Sequence, residues 1–313
     1  MLFRSLQQLE PGVFTARWRT VSNDGHVIGG GFTFGVGAGT RLDAAPASPE
    51  PASTPRNELD VPLRWLTLIA SALVAGGFWF RQLVLNPAAA DLALVPATAP
   101  LFGAASRRVF ALIRIAAVGL LVLGVITLFN QAAQVSGTGL LQSMQGEVVA
   151  RLITKTRYGL VWLARMMILV GLLGVIEQLA APVAAGSQPG AKPAPPMPTT
   201  TGPNGGALWW WAGGGLSLAL LFTGTLVSHA ATRDPALLSM AADFAHQAGA
   251  AAWLGGLFCL AAALRAFKEA PADLRTVALG ALLSRFGRLA VVAVVVVLSS
   301  GWQIGRASCR ERV

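Results

Sequence analysis

The chain has 313 residues, of which 54% are hydrophobic and only 12% charged, and it carries a formal net charge of +10. That leaves too little polar surface to cover a water-soluble globule, so a membrane protein is expected. The basic excess lies mainly in loops beside apolar runs, where it sets orientation and meets anionic lipid, so membrane lipids and not nucleic acid are the expected partners.

Two cysteines, Cys259 inside an apolar run and Cys309 in the terminal tail, provide neither a disulfide framework nor a CxxC metal site. The opening MLFRSLQQLE has one basic residue and no apolar run of the length a signal peptide needs.

In chain order, the first elements are strands. GVFTARWRTVS alternates apolar and polar residues from Val13, NDG is a turn signal, and IGGGFTFGV alternates again. Two antiparallel strands are therefore expected around a loop holding Asp24 and His26. Side chains two apart on an extended segment point the same way, and a carboxylate beside an imidazole suits Cu(II). A solvated turn is the competing reading of that pair. Residues 38–60, rich in Ala, Pro and Ser and without periodicity, read as a flexible linker.

Six apolar segments follow, at about 61–80, 108–130, 158–181, 207–228, 242–264 and 278–300. Each approaches the ~20 residues that a helix needs to cross a hydrocarbon core. The fold class expected is therefore mainly α, a polytopic bundle of about six transmembrane helices. A second Pro- and Gly-rich loop, AAGSQPGAKPAPPMPTTTGPNGG, separates the third helix from the fourth. With the amino-terminal segment outside, the inner loops carry Arg81, Arg107, Arg108, Lys192, Arg265, Lys268, Arg275, Arg285 and Arg288. The outer ones carry Arg151, Lys155, Arg157 and Arg233. This bias puts the amino-terminal segment on the external side, with Trp209, Trp210 and Trp211 as an interfacial anchor at the inner end of the fourth helix.

Two histidines belong to the membrane part: His229 ends the fourth helix and His246 begins the fifth, with Met240 in the short connection between them. The charge-derived topology puts both on the external side, where imidazoles and a thioether can meet one metal ion. The bland alternative is that each histidine only donates a hydrogen bond near the interface. His246, Gly249, Trp253 and Gly256 share a face by three-and-four spacing, which is expected to pack on a neighbouring helix. Arg165 interrupts the third helix beside Met166 and Met167. A charge at that depth costs about 2.5 to 3.5 kcal/mol on insertion scales, so it should face the interior or snorkel. Asn130 and Gln134 lie near its depth, suggesting a polar funnel beside the histidines. Either methionine is a candidate relay for Cu(I), with core filler as the plainer reading. Arg114 reads as a snorkelling anchor, and Glu177 and Gln178 have no evident partner.

The residues also carry a family resemblance. LEPGVFTARWRTVSNDGHVIGGGFTFGV resembles the last third of a CopC-type copper-binding domain, an immunoglobulin-like β-sandwich of the periplasm. LRWLTLIASALVAGGFWFRQLVL, TRYGLVWLARMMILVG, SHAATRDPALLSMAADFAHQAGAAAWLGGL and LLSRFGRLAVVAVVVVLSSG resemble the CopD family of copper-resistance membrane proteins. The resemblance implies a CopC-like remnant over 1–37, a linker over 38–60, a CopD-like membrane domain over 61–302 and a non-native tail over 303–313, with truncation expected at both ends. It also carries Cu(II) ligation onto Asp24 and His26. The family's other ligands, from the amino-terminal end of the sandwich, have no counterpart here, so poor affinity is expected at that loop.

Walker-type, HExxH and GxSxG motifs are absent from the sequence, as are the CxxC and DKTG marks of copper-pumping ATPases, so no enzymatic activity is expected. The resemblance implies a copper-binding and copper-transporting protein of the bacterial inner membrane, with copper ions and periplasmic copper-binding proteins as partners. The alternative is a haem-binding electron-transfer protein of b type, since paired membrane histidines also ligate haem iron.

Overall fold

The computed structural model describes residues 9–21, 27–37, 59–136, 146–185, 203–228 and 236–310. Strands β1, Gly12–Val21, and β2, Val27–Val36, pair antiparallel, with Gly12 opposite Val36 and Val21 opposite Val27. The alternating pattern thus produces the two strands expected of it. Phe14 stacks on its cross-strand partner Phe34 at 5.8 Å. The Trp18 indole lies over Gly30, where any Cβ would strike the ring, which explains a glycine in the middle of a strand. Trp18 and Phe32 remain about half exposed.

Seven helices follow among the described residues. Helix α1 spans Asp60–Asp91 with a π turn at Arg81–Leu85. Helix α2, Ala99–Ser136, is entered through a 3-10 turn at Pro96–Thr98. Helix α3, Gly146–Lys155, is short, and α4 runs Arg157–Ala185. Helix α5 is Pro203–Leu226, α6 is Ala236–Ala266 with a π turn at Ala251–Gly255, and α7 is Ala272–Arg310.

Five of these are long and apolar enough to cross a membrane: α1, α2, α4, α6 and α7. The sequence suggested about six. The sixth, α5, has 24 residues and so the length to span, but it is not one of these five. Several helices also outrun their expected bounds. Helix α1 already starts at Asp60, α2 reaches back to Ala99, and α7 continues without interruption through the tail to Arg310.

Helix α1 is central, touching α2, α5 and α6, while α4 closes against α2 and α5 and α7 lies along α6. Lipid tails are as apolar as leucine side chains, so helices in a membrane associate through close fit and not through expulsion from water. The α1/α6 crossing shows how. A Cβ on Gly76 would run into the Ala251 carbonyl and Gly255, and one on Gly255 would run into the Ala72 carbonyl and Gly76. Around that contact, Phe78, Phe80, Ile113, Leu120, Leu172 and Leu220 form a core with almost no exposure.

At the end of the bundle carrying the α1–α2 connection, the Arg81 guanidinium sits 4.4 Å from the Phe110 ring and 4.3 Å from the Trp210 ring. Its Nε donates to Ser106 Oγ at 3.0 Å. Trp210 therefore points into the bundle as part of a cation–π cage, and Trp211, 73% exposed, is the one left facing outward. Nearby, Arg285 of α7 makes two hydrogen bonds, at 2.7 and 2.6 Å, to Asp91 at the end of α1.

Candidate functional site: a polar cavity at one end of the bundle

The opposite end of the bundle holds a cavity of about 520 Å³. The first turn of α1, the last of α2, the first of α4, the last of α5 and the early turns of α6 all contribute to it, through Asp60, Gln134, Tyr158, Thr223 and Asp243. Three polar clusters line this space.

The first is built on Asp60. Asn130 Nδ2 donates to its Oδ1 at 2.5 Å, and Gln134 Nε2 donates to both oxygens at 2.7 and 2.9 Å. Asn130 and Gln134 are four apart on α2 and so stand one above the other on one helix face, which allows both amides to reach one carboxylate. The second cluster joins α5 to α6. Asp243 Oδ2 accepts from Ser228 Oγ at 3.1 Å and from Gln247 Nε2 at 2.8 Å, and Gln247 also donates to Thr225 Oγ1 at 3.1 Å.

The third cluster lies deeper. Arg165 of α4 donates through Nη2 to Ser71 Oγ at 2.7 Å and through Nη1 to Thr223 Oγ1 at 3.4 Å. Both hydroxyls donate their own protons to their own helices, Ser71 to Thr67 O and Thr223 to Leu220 O, each at 2.6 Å. They are thereby set as acceptors for the guanidinium. Arg165 faces the bundle interior, one of the two outcomes expected from its charge.

The sequence-derived site residues divide. Asp24, His26 and His229 lie outside the described residues. His246 turns away from the cavity: its Nδ1 lies 3.2 Å from Val297 O and 3.3 Å from Ser300 Oγ, both on α7. Its neighbour Gln247 is the one that lines the cavity. Gly249 and Gly256 join His246 on the α7 contact, against Val297 and Phe286. Trp253, expected on that face, is 42% exposed, because the π turn at Ala251–Gly255 shifts the register within it. Met240 is half-buried and stands three residues before Asp243 and seven before Gln247, on the same helical stripe.

Among the other candidates, Met166 packs its thioether against Gly124 of α2, beside the cavity, while Met167 is 71% exposed on the outer surface and so is no inward relay. Glu177 has a partner after all, Arg114, at 3.2 Å across the α2/α4 contact. Sequence reasoning passed over Asp60, Asp243 and Gln247. Asp60 stood at the edge of a linker. The spacing Asp243–Gln247, four apart and flanking His246, was the one available signal for the α6 pair.

Among the described residues, no group of three or more His, Cys, Asp and Glu side chains converges as a metal site. On α6, Asp243 and Gln247 line the cavity, and Met240 does not.

Comparison with known families completes the picture. Residues 59–188 match the family described as copper resistance protein D-like, N-terminal domain, and residues 3–37 match the CopC domain. The chain belongs to the fused CopC/CopD copper-resistance family. The boundary between the two matches falls where the structure changes from sheet to helix, and the CopD-like match takes in α1 to α4, with Asp60, Asn130, Gln134 and Arg165 of the cavity. Neither a curated protein nor a solved structure matches the chain.

Proposed function

We propose that the protein captures copper on the outer side of the bacterial inner membrane and passes it into the helical bundle through the polar cavity. The observation that carries this reading is the cavity itself, a polar opening at the end of a CopD-like bundle that also bears the CopC-like sheet ahead of α1. Asp243 lines the cavity, Met240 stands three residues earlier on the same stripe of α6, and His229, next in sequence after the lining residue Ser228, is the further donor in this scheme. Carboxylate and imidazole accept Cu(II), and thioether favours Cu(I), so such a mouth suits an ion that changes donors as it moves inward. The CopC-like loop with Asp24 and His26 is the outer capture point in this scheme, and periplasmic copper-binding proteins are its upstream donors. The inner-loop basic residues support the orientation.

The test is copper stoichiometry by elemental analysis on purified protein. His229→Ala combined with Asp243→Ala should remove most of the bound copper, Met240→Leu should weaken Cu(I) binding about tenfold, and His246→Ala should leave the stoichiometry nearly unchanged. Copper retained in full by the His229/Asp243 variant would sink the reading. A Soret band in the same preparation would move it to haem.

A further inference from the structure

We propose that Arg165 forms a small-anion subsite at the floor of the cavity, taking a monovalent anion of the halide or carboxylate class. A guanidinium carries five N–H donors in a planar fork. In the described residues Arg165 makes no ion pair, and its partners are the two hydroxyl oxygens of Ser71 and Thr223. Those oxygens fix the guanidinium in place without cancelling its charge. Its Nε, which neither hydroxyl engages, is not among the buried side-chain atoms lacking a partner, whereas Arg81 Nη1, in its aromatic cage, is one. Arg165 instead lines the cavity, which gives a small ion access to that edge of the guanidinium.

The carboxylates lining the same cavity are committed elsewhere. Asp60 is held by Asn130 and Gln134, and Asp243 by Ser228 and Gln247. Ser71, the level of Arg165 on α1, is eleven residues beyond Asp60, which puts the guanidinium about 16 Å below the rim. A cation set that deep among apolar helices, with hydroxyls alone beside it, lacks a counter-charge, and a small anion entering through the cavity supplies one. Asp60, Asp243 and Arg64 lie toward the rim and Arg165 at the floor, so a copper ion at the mouth and its accompanying anion below would occupy different levels.

The anion site is read without copper, so it stands or falls separately from the copper reading. Protein in detergent, freed of copper by a chelator, is titrated with chloride while the chloride-35 NMR linewidth is followed, and formate is then added as competitor. Saturable broadening relieved by formate is expected, lost in Arg165→Gln, weakened about tenfold in Arg165→Lys, which keeps the charge but not the fork, and retained in Arg114→Gln. Absence of saturable broadening in the unsubstituted protein overturns the proposal, as does broadening that survives unchanged in Arg165→Lys or Arg165→Gln. Should Arg165→Gln fail to fold, the Arg165→Lys titration decides alone.

Discussion

Asp60 shows how much one side chain can organise. Its carboxylate receives three hydrogen bonds from two amides on α2, tying the start of α1 to the end of α2 across 70 and 74 residues of sequence. Hydrogen bonds to a charged acceptor contribute about 1.5 to 3 kcal/mol each, and removing the acceptor leaves the buried Asn130 amide without this carboxylate. Asp60→Ala should therefore lower stability by about 2 kcal/mol, read as a lowered midpoint of thermal unfolding in detergent. Asp60→Asn should cost nearly as much, because a neutral amide replaces a double acceptor with one acceptor and one misplaced donor. An unchanged midpoint in both variants would show that the clamp contributes nothing. Arg165 was legible at this scale, since a charge inside an apolar run must find polar company and the structure supplies Ser71 and Thr223. Asp60 was not, because nothing local separates a helix-starting aspartate from the last residue of a linker. The Arg114–Glu177 pair was hidden for another reason: its members are 63 residues apart and meet only through the contact between α2 and α4.

At the scale of elements, the α1/α6 crossing is the most constrained contact in the bundle. Gly76 and Gly255 each face backbone of the other helix, so a side chain at either position cannot be relieved by rotating a neighbour. Gly255→Val should force the helices apart and cost about 1 to 3 kcal/mol, visible as loss of the monodisperse species in size-exclusion chromatography. Gly280→Val is the control, since nothing lies within 4 Å of a Cβ there, and it should elute as the unsubstituted protein does. The long helices were readable from length and apolarity, and the strand pair from alternation and the turn signal, whereas the short α3, too short and too charged to stand out as an apolar run, was not. The π turns were not, because a widened turn leaves the three-and-four pattern intact on either side and reveals itself only as a face that slips. Trp253 records that slip. His246 and Gly249 before it meet α7 as expected, and Gly256 after it does too, while Trp253 is left facing outward. Helical geometry also explains why the cavity presents Gln247 where a histidine was expected: adjacent residues on a helix point about 100° apart, and the contact with α7 claims His246.

For the molecule as a whole, polar chemistry is sorted by end. One end holds the cavity with its aspartates, and the other holds the Arg81 cage, the Asp91–Arg285 pair and the short α6–α7 connection bearing Lys268. The proposed orientation makes that connection cytoplasmic. With Cys259 and Cys309 replaced by serine, a cysteine introduced by Lys268→Cys should resist a membrane-impermeant maleimide in intact spheroplasts and react once they are permeabilised. Labelling before permeabilisation would invert the orientation. The ends also depend on phase. A π turn absorbs one residue more than an ordinary helical turn, so it lets α1 lengthen by one position without rotating the residues after it. Everything beyond Leu85, including the Asp91 carboxylate that meets Arg285, keeps its bearing only because the surplus is taken up there. Loss of a single residue from this turn therefore restores an ordinary helix and preserves alignment, whereas the same loss farther up α1 swings the whole lower half through about 100°. Leu83 and Leu68 are each 46% exposed, so deleting one or the other removes comparable surface. Deletion of Leu83 should be tolerated and deletion of Leu68 should not, which makes the widened turn a place where the chain can shed a residue without unthreading the bundle.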